Sequence, residues 1–244
     1  MKVSLCITCM GRLHHLKQTF FKNLEDNENC EQLEFVLLDY NCPDGTGEWA
    51  RKELSGLIRS GRVVYYREKT VKYYSSPHSK NLAHDLAGGD VLVNLDADNF
   101  TGAGYAESVR QAFEVDPFLV GQIPTPHRGL SGRVAIGKTD FHQLRGYDES
   151  FTGWGFDDLD FVGRARQIGL KLNVTRVPGS GTIDHSENDR ISRFAPEDRT
   201  TLSNERNRLK TLKRSRSAVI NPNGYAKAVV YRNFTNEATH AGRR

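Results

Sequence analysis

Short apolar runs alternate with helical spacings through the first half of the chain. VSLCITCM (residues 3–10) is an unbroken apolar run of strand length, and a run without polar alternation predicts a strand covered on both faces. Leu13, Leu16, Phe20 and Leu24 then recur at steps of three, four and four, the stripe of a helix that lies on a sheet. LEFVLLDY (33–40), RVVYYREK (62–69) and DVLVNLDAD (90–98) repeat the strand signal, the last introduced by the helix-stopping pair Gly88-Gly89. Leu82 and Leu86 mark a short helix before it, and Tyr105, Val109 and Phe113 mark another ahead of Pro117. This alternation predicts an α/β fold with a mixed, mostly parallel sheet flanked by helices.

The second half is less periodic. Glycine and proline are frequent from Gly121 to Gly155, which predicts long functional loops. A helix resumes after Gly155, with Phe161, Ala165 and Ile168 on one side, and ends near Gly169; LNVTRV (172–177) reads as a strand. The last third reads as a basic helix around Ser203 to Ser215, followed by AVINPNGYAKAVVYRNF, where Asn223-Gly224 suits a hairpin turn. The expected organisation is a catalytic domain over residues 1–190 and a basic helix-and-hairpin appendage over 191–244.

With 244 residues the chain can bury a sizeable core. No stretch is apolar for the ~18 residues a membrane span needs, and no charged segment followed by an apolar run opens the chain, so a cytoplasmic protein is expected. Four cysteines suit a reducing compartment. Cys6 and Cys9 form a CxxC, but residues i and i+3 of a strand face opposite ways, which argues against a metal knuckle. The three N-x-T triplets, at Asn99, Asn173 and Asn233, would matter only in a secretory pathway. The formal net charge of +4 hides an asymmetry: from Ser203 onward ten basic residues stand against two acidic ones, so the tail carries +8 and the first 202 residues −4. Such a tail is either a solvated surface helix or a surface for an anionic partner: a membrane, nucleic acid or a negatively charged acceptor.

Candidate chemistry lies at strand ends. VLVNL runs into Asp96-Ala97-Asp98-Asn99, and in an open α/β sheet ligands bind outside the carboxyl ends of the strands. Two carboxylates and an amide there are hard oxygen ligands for Mg2+ or Mn2+ beside a diphosphate; the plainer reading is an acidic turn capping the next helix. Asp39 also ends a strand, where a carboxylate can accept hydrogen bonds from a base or ribose, while Pro43, Asp44 and Gly45 supply a turn. KTVKYYSSPHSKN (69–81) is polar, aromatic and basic, which suits a loop over phosphates or an ordinary solvated loop. His185, in TIDHSEND, could join two aspartates around Mn2+, although a lone histidine is more often structural.

GWGFDDLDFVGRA (153–165) groups three aspartates behind a glycine-flanked tryptophan. At the start of a helix the macrodipole offsets part of the repulsion between Asp157 and Asp158. Asp160 has Arg164 four residues on, a pair that gives it a structural role. A tryptophan beside two acidic acceptors is how a protein holds a sugar, with the ring under the apolar face and carboxylates on the hydroxyls.

Together these stretches resemble the metal-dependent GT-A glycosyltransferases, family-2-like in the first hundred residues and like the β-1,4-galactosyltransferase and chondroitin-polymerase type in the middle. ITCMGRLHHLKQTF with LLDYNCPDGTGEW is similar to the nucleotide-binding opening, SKNLAHDLAGGDVLVNLDADN to the helix and strand that deliver the DxD, and AIGKTDFHQLRGYDESFTGWGFDDLDFVGRARQIG to the acceptor segment with its W-G-x-E-D motif. The resemblance implies that Asp98, His185 and Asp96 hold Mn2+ or Mg2+. It implies that Asp39, Asp96, Lys80 and Asn81 serve the nucleotide-sugar donor, that Trp154, Gly155 and Asp157 serve the acceptor, and that Asp158 is the catalytic base. This sequence departs from the pattern where Asp157 replaces the usual glutamate, where Leu159 replaces an acidic residue, and where DYNC replaces DDGS in the opening.

The implied activity is inverting transfer of a hexose-type sugar, from a UDP-sugar in preference, to a saccharide or glycoconjugate hydroxyl. A nucleotidyltransferase would want a glycine-rich basic loop after the first strand, where CMGRLHH offers only Gly11 and Arg12. A non-catalytic nucleotide-sugar-binding or scaffold module with a nucleic-acid- or membrane-binding tail would not require Trp154, Asp157, Asp158 and the DxD together. A transferase acting on an anionic acceptor such as modified DNA also suits the basic tail.

Overall fold

The computed structural model describes residues 1–123, 129–184, 186–200, 202–214 and 219–243. β1 (Val3–Cys9) leads through α1 (Leu13–Asp26) to β2 (Leu33–Tyr40). The short helices α2 (Thr46–Glu53) and α3 (Ser55–Arg59) then lead to β3 (Val63–Glu68), and α4 (Ser76–Leu86) to β4 (Val91–Asn94). These four strands run parallel in the order β3-β2-β1-β4. All residues of β1, β2 and β4 are buried, which explains their unbroken apolar runs. The chain builds outward from β1 to β3 and then returns to the other side of β1 to form β4. That reversal opens a crevice outside the carboxyl ends of β1 and β4.

The chain continues with β5 (Asn99–Phe100), α5 (Tyr105–Val115), β6 (Leu119–Gln122), β7 (Val134–Gly137) and α6 (Lys138–Gln143). Then come α7 (Asp157–Gln167), β8 (Lys171–Asn173), β9 (Gly181–Thr182), α8 (Glu187–Ile191), a 3-10 turn (Pro196–Asp198), α9 (Leu202–Lys213), β10 (Tyr225–Arg232) and β11 (Ala238–Arg243). β7 adds antiparallel to β4, β6 antiparallel to β7, and β8 parallel to β6, while β5 and β9 pair as a separate ribbon. At the opposite edge β10 lies antiparallel to β3, with Val230 opposite Glu68, and β11 antiparallel to β10. The stretch expected as an appendage thus extends the main sheet.

The core has two layers. On one face of the sheet Leu16, Phe20, Phe35, Val109 and Phe113 pack together, and on the other Leu82, Phe141, Tyr147, Phe161 and Val230 do. Full burial of one such side chain is worth roughly 1.5–3 kcal/mol, so packing rather than helix propensity holds the helices in place. Cys9 belongs to the first layer and Cys6 to the second, so the CxxC does not converge on one side.

Three expectations need correction. The region 121–155 is not loop throughout: Val134–Gly137 forms a buried strand, four residues being too few to show a period. The strand expected over 172–177 spans only Lys171–Asn173. The hairpin does not turn at Asn223-Gly224 but after Arg232. There Asn233 and Phe234 both take positive φ (49° and 65°) and Thr235 N–H donates to the Arg232 carbonyl at 2.9 Å, the backbone signature of a tight turn matched to strand twist.

Candidate active site

At the crevice three elements bring carboxylates and one ammonium together. α4 supplies Ser76 and Lys80, the start of α7 supplies Asp157 and Asp158, and the end of β4 supplies Asp96. Lys80 is only 4 % exposed, and its Nζ donates to Asp157 Oδ2 at 2.9 Å and Asp158 Oδ1 at 2.6 Å. Ser76 Oγ donates to Asp157 Oδ2 at 2.7 Å. Asp96 and Asp158 approach the same glycine: a Cβ on Gly132 would lie 2.8 Å from Asp96 Oδ2 and 3.2 Å from Asp158 Oδ2. Asn94 Nδ2 holds both sides of that approach, donating to Asp96 Oδ1 at 3.1 Å and to the Gly132 carbonyl at 2.8 Å.

The two aspartates of α7 are pushed in opposite directions. Burial and the charge of Asp157 raise the Asp158 carboxyl well above the ordinary carboxylate range, against the pull of Lys80. Burial would raise Asp157 too, but Lys80 and Ser76 bring it below that range. Burial alone would lower the Lys80 ammonium, yet Asp157 and Asp158 hold it well above an ordinary lysine. Neighbouring carboxyl groups with separated proton affinities are the arrangement that acid–base chemistry uses. Asp158 is therefore the better proton acceptor of the pair.

Gly153, Gly155 and Phe156 all have positive φ (69°, 100° and 71°). A non-glycine residue such as Phe156 in that region is strained, a cost of order 1–3 kcal/mol that clusters at functional sites. The glycines are needed for a second reason. A Cβ on Gly153 would lie 2.6 Å from the Ser203 side chain, and one on Gly155 2.5 Å from Asn204 Oδ1, so α9 packs directly on this loop. Ser203 Oγ accepts from Trp154 N–H at 3.0 Å and donates to the Trp154 carbonyl at 2.9 Å. Asn207 Nδ2 donates to the carbonyls of Thr152 and Gly155. Trp154 itself stays 39 % exposed, with the Arg190 guanidinium 4.7 Å over its ring. Asp160 lies apart from the cluster and pairs with Arg164 at 2.9 Å and Arg214 at 2.7 Å.

The expected donor residues divide. Asp96 and Lys80 belong to the cluster. Asp39 is buried at the end of β2, accepting from Tyr65 Oη at 2.7 Å and Cys42 N–H at 2.7 Å, and burial raises its carboxyl. Asn81 is fully buried and brackets a turn, accepting from Tyr147 N–H at 2.7 Å and donating to the Tyr147 carbonyl and Glu149 Oε1 at 2.9 Å each. Past β1, a cavity of about 450 Å³ is lined by Arg12, Lys17 and Arg193 against Asp44 and Asp189, among others, a setting with a small excess of positive charge. The Arg193 guanidinium lies directly over Gly11, and Arg12 reaches the Asp189 carbonyl at 2.5 Å. A larger cavity of about 890 Å³, between Arg145, Arg164, Ile168 and Leu172, is lined by none of the clustered carboxylates and is not the site.

Sequence reasoning missed Gly132, Ser76 and Tyr147. Tyr147 is buried with its ring centroid 5.1 Å from Lys80 Nζ, and its hydroxyl has no hydrogen-bond partner among the described residues. A glycine between two carboxylates has no signature along the chain.

Asp98 lies beside Asp96, whose carboxyl is raised by burial first and by the Asp98 charge among its neighbours. A divalent cation would relieve that repulsion, and the donor atoms are the hard oxygens Mg2+ and Mn2+ prefer. Ile183 N–H donates to the Asp98 carbonyl at 2.9 Å, while His185, the third expected ligand, lies outside the described residues. Among the described residues no three His, Cys, Asp or Glu side chains converge on one point. The two aspartates suit a metal's chemistry, but they supply two ligands.

Residues 122–188 match the sequence family of the N-terminal domain of galactosyltransferase. That segment contains Gly132, Trp154, Gly155, Asp157 and Asp158. No curated protein sequence matches the chain significantly. Among solved structures, the mannosyltransferase PcManGT from Pyrobaculum calidifontis in complex with GDP-Man and Mn2+ is similar, with a TM-score of 0.60 at 15 % identity, over 72 % of this chain and 55 % of that one. S. aureus TarS 1-349 in complex with UDP-GlcNAc gives a TM-score of 0.65 at 12 % identity, over 80 % of this chain and 62 % of that one. The chain spans less than two thirds of the length of either. The fold is that of the GT-A glycosyltransferases.

Proposed function

We propose that this GT-A-fold glycosyltransferase moves a hexose-type sugar from a nucleoside-diphosphate donor to a hydroxyl of a saccharide or glycoconjugate, with inversion at the anomeric carbon. The observation that carries the reading is the meeting of Asp96 and Asp158 at Gly132, with Lys80 between Asp157 and Asp158. It sets a raised carboxyl beside the end of the strand that delivers the Asp96-Asp98 pair. A UDP-sugar is the favoured donor, and similar structures hold UDP-GlcNAc in one case and GDP-Man in another.

The acceptor sugar stacks on Trp154 at the rim, and its hydroxyl points at Asp158. As the hydroxyl oxygen attacks the anomeric carbon from the face opposite the diphosphate, its proton passes to Asp158. A carboxyl raised by burial takes a proton more readily than an ordinary one, and a placed base typically contributes ~10² to 10⁴-fold. Asp157, tied to Ser76 and Lys80, holds the ammonium beside the base, where it opposes the rise that burial and the Asp157 charge impose on the Asp158 carboxyl. Asp96 and Asp98 would hold a divalent cation together with His185, and such a cation neutralises charge on the departing diphosphate. Arg12, Lys17 and Arg193 would hold the nucleotide end of the donor.

The test is Asp158→Asn, which keeps the shape and removes the proton acceptor. Transfer should fall by at least about 10²-fold, while calorimetric binding of the nucleoside diphosphate in the presence of Mn2+ stays within a few-fold of wild type. Wild-type turnover by this variant would remove Asp158 from the mechanism.

A further inference from the structure

Arg133 is the largest side chain that the protein buries completely, at 1 % exposed, and among the described residues it pairs with no carboxylate. A buried guanidinium without such a partner is costly, so its persistence needs a reason. Its two terminal nitrogens spread over the chain that follows β4. Nη1 donates to the Thr101 carbonyl at 3.3 Å and to Ser180 Oγ at 3.4 Å, and Nη2 to the Phe100 carbonyl at 2.7 Å and to Asn99 Oδ1 at 3.3 Å. Burial lowers the guanidinium below the ordinary arginine value, against Tyr105 and the Asp96 charge. The contact with Asn99 leads further. Asn99 Nδ2 donates to Asp98 Oδ1 at 2.9 Å and to the Gly129 carbonyl at 3.0 Å. Arginine can only donate, so the amide oxygen must face Arg133, which leaves the amide nitrogen for the carboxylate. Asn99 is fully buried, and its own carbonyl accepts from Asn23 Nδ2 at 2.8 Å, so its backbone and its amide are both held.

We propose that Arg133 is a positioning residue for the Asp96-Asp98 pair, acting through the Asn99 amide to fix the orientation of the Asp98 carboxylate. The inference rests on the reading that this pair holds a divalent cation. Hydrogen-bond partners behind a ligating carboxylate are typically worth 10–100-fold in metal affinity. A side chain that only filled space here would need no charge, since an apolar one of similar volume avoids the desolvation cost. Arg133 also follows directly on Gly132, where Asp96 and Asp158 meet and whose carbonyl accepts from Asn94 Nδ2 at 2.8 Å. One short stretch of backbone thus carries both that meeting point and the arm that reaches Asn99. Charge and geometry act in opposite senses at the pair. The guanidinium charge repels a cation there, whereas the relay through Asn99 orients its ligand, and the orienting effect is the larger one.

The experiment titrates the full chain with Mn2+ alone and follows free Mn2+ by its electron paramagnetic resonance signal, without donor, acceptor or turnover. Arg133→Met and Asn99→Ala should each weaken Mn2+ binding by roughly tenfold or more. The double variant should bind about as weakly as the weaker single one, because both changes break one relay. Arg133→Lys keeps the charge but has one ammonium in place of a two-armed fork, and it should lose affinity as Arg133→Met does. It takes the place of Arg133→Met if the near-ultraviolet circular dichroism of that variant shows a lost fold. A packing role alone would lower the melting temperature while leaving Mn2+ affinity unchanged, or would give losses that add in the double variant; either result overturns the proposal. Tighter binding by Arg133→Met, the mark of a charge effect, overturns it as well. A wild-type chain that binds no Mn2+ removes the cation from the proposed function and this inference with it, whereas wild-type binding with unaffected variants removes this inference alone.

Discussion

Lys80 decides how the two neighbouring aspartates behave. Its ammonium is buried between them, and a buried ammonium persists only where paired charge offsets lost hydration. Asp158 must be ionised to accept a proton, and burial together with Asp157 raises its carboxyl. Activity should therefore fall as the pH drops through a point above the usual carboxylate range. Lys80→Met removes a cation that opposes this rise, so the acid limb of kcat/KM should move to higher pH, with a loss on the order of tenfold or more at neutral pH. An acid limb that stays where wild type has it would show that Lys80 serves only as a donor contact. The two aspartates were legible in the sequence, because adjacent like charges at a helix start need an explanation. That Lys80, expected at the donor, pairs with both of them was not, because the contact with Asp157 crosses 77 residues.

At the scale of elements, the glycine-flanked tryptophan is shaped by α9. Two side chains, Ser203 and Asn207, hold the backbone of 152–155, and each hydrogen bond of this kind contributes roughly 1 kcal/mol. Ser203→Ala with Asn207→Ala should loosen the Trp154 loop, raising the acceptor KM several-fold while leaving the donor KM unchanged in steady-state kinetics. A fall in kcat with an unaltered acceptor KM would place α9 outside acceptor binding. The helices and long strands were readable from their periods; β7 and the hairpin turn were not. Val134–Gly137 is a short apolar run among glycines, and the turn at Asn233-Phe234 places a phenylalanine where the glycine of Asn223-Gly224 offers the stronger local signal.

Across the whole molecule, the C-terminal hairpin closes one edge of the sheet. β10 supplies rungs to Tyr66, Arg67 and Glu68 of β3, buries Tyr225 and Val230, and leads to Phe234, which stacks on Tyr65 at 4.4 Å. Asn221 adds hydrogen bonds to the carbonyls of Arg145 and Tyr147. Removing residues 219–244 should expose β3 and cost at least about 5 kcal/mol, given ~1.5–3 kcal/mol for each fully buried side chain lost. At roughly 2–4 °C per kcal/mol for a chain of this size, calorimetry should show a melting temperature lower by 10 °C or more. A truncated chain that melts within about 2 °C of wild type would make the hairpin a true appendage. The amino-acid sequence alone determined the alternation of strands and helices, the strand ends that bear Asp96 and Asp98, and the acidic start of α7, because these follow from hydrophobic period and local charge. Only the tertiary structure decided that Asp96 and Asp158 share Gly132, that Lys80 lies between Asp157 and Asp158, and that Asn99 joins Arg133 to Asp98. Those are contacts between segments far apart in the chain, set by how the layers pack, and no local pattern encodes them.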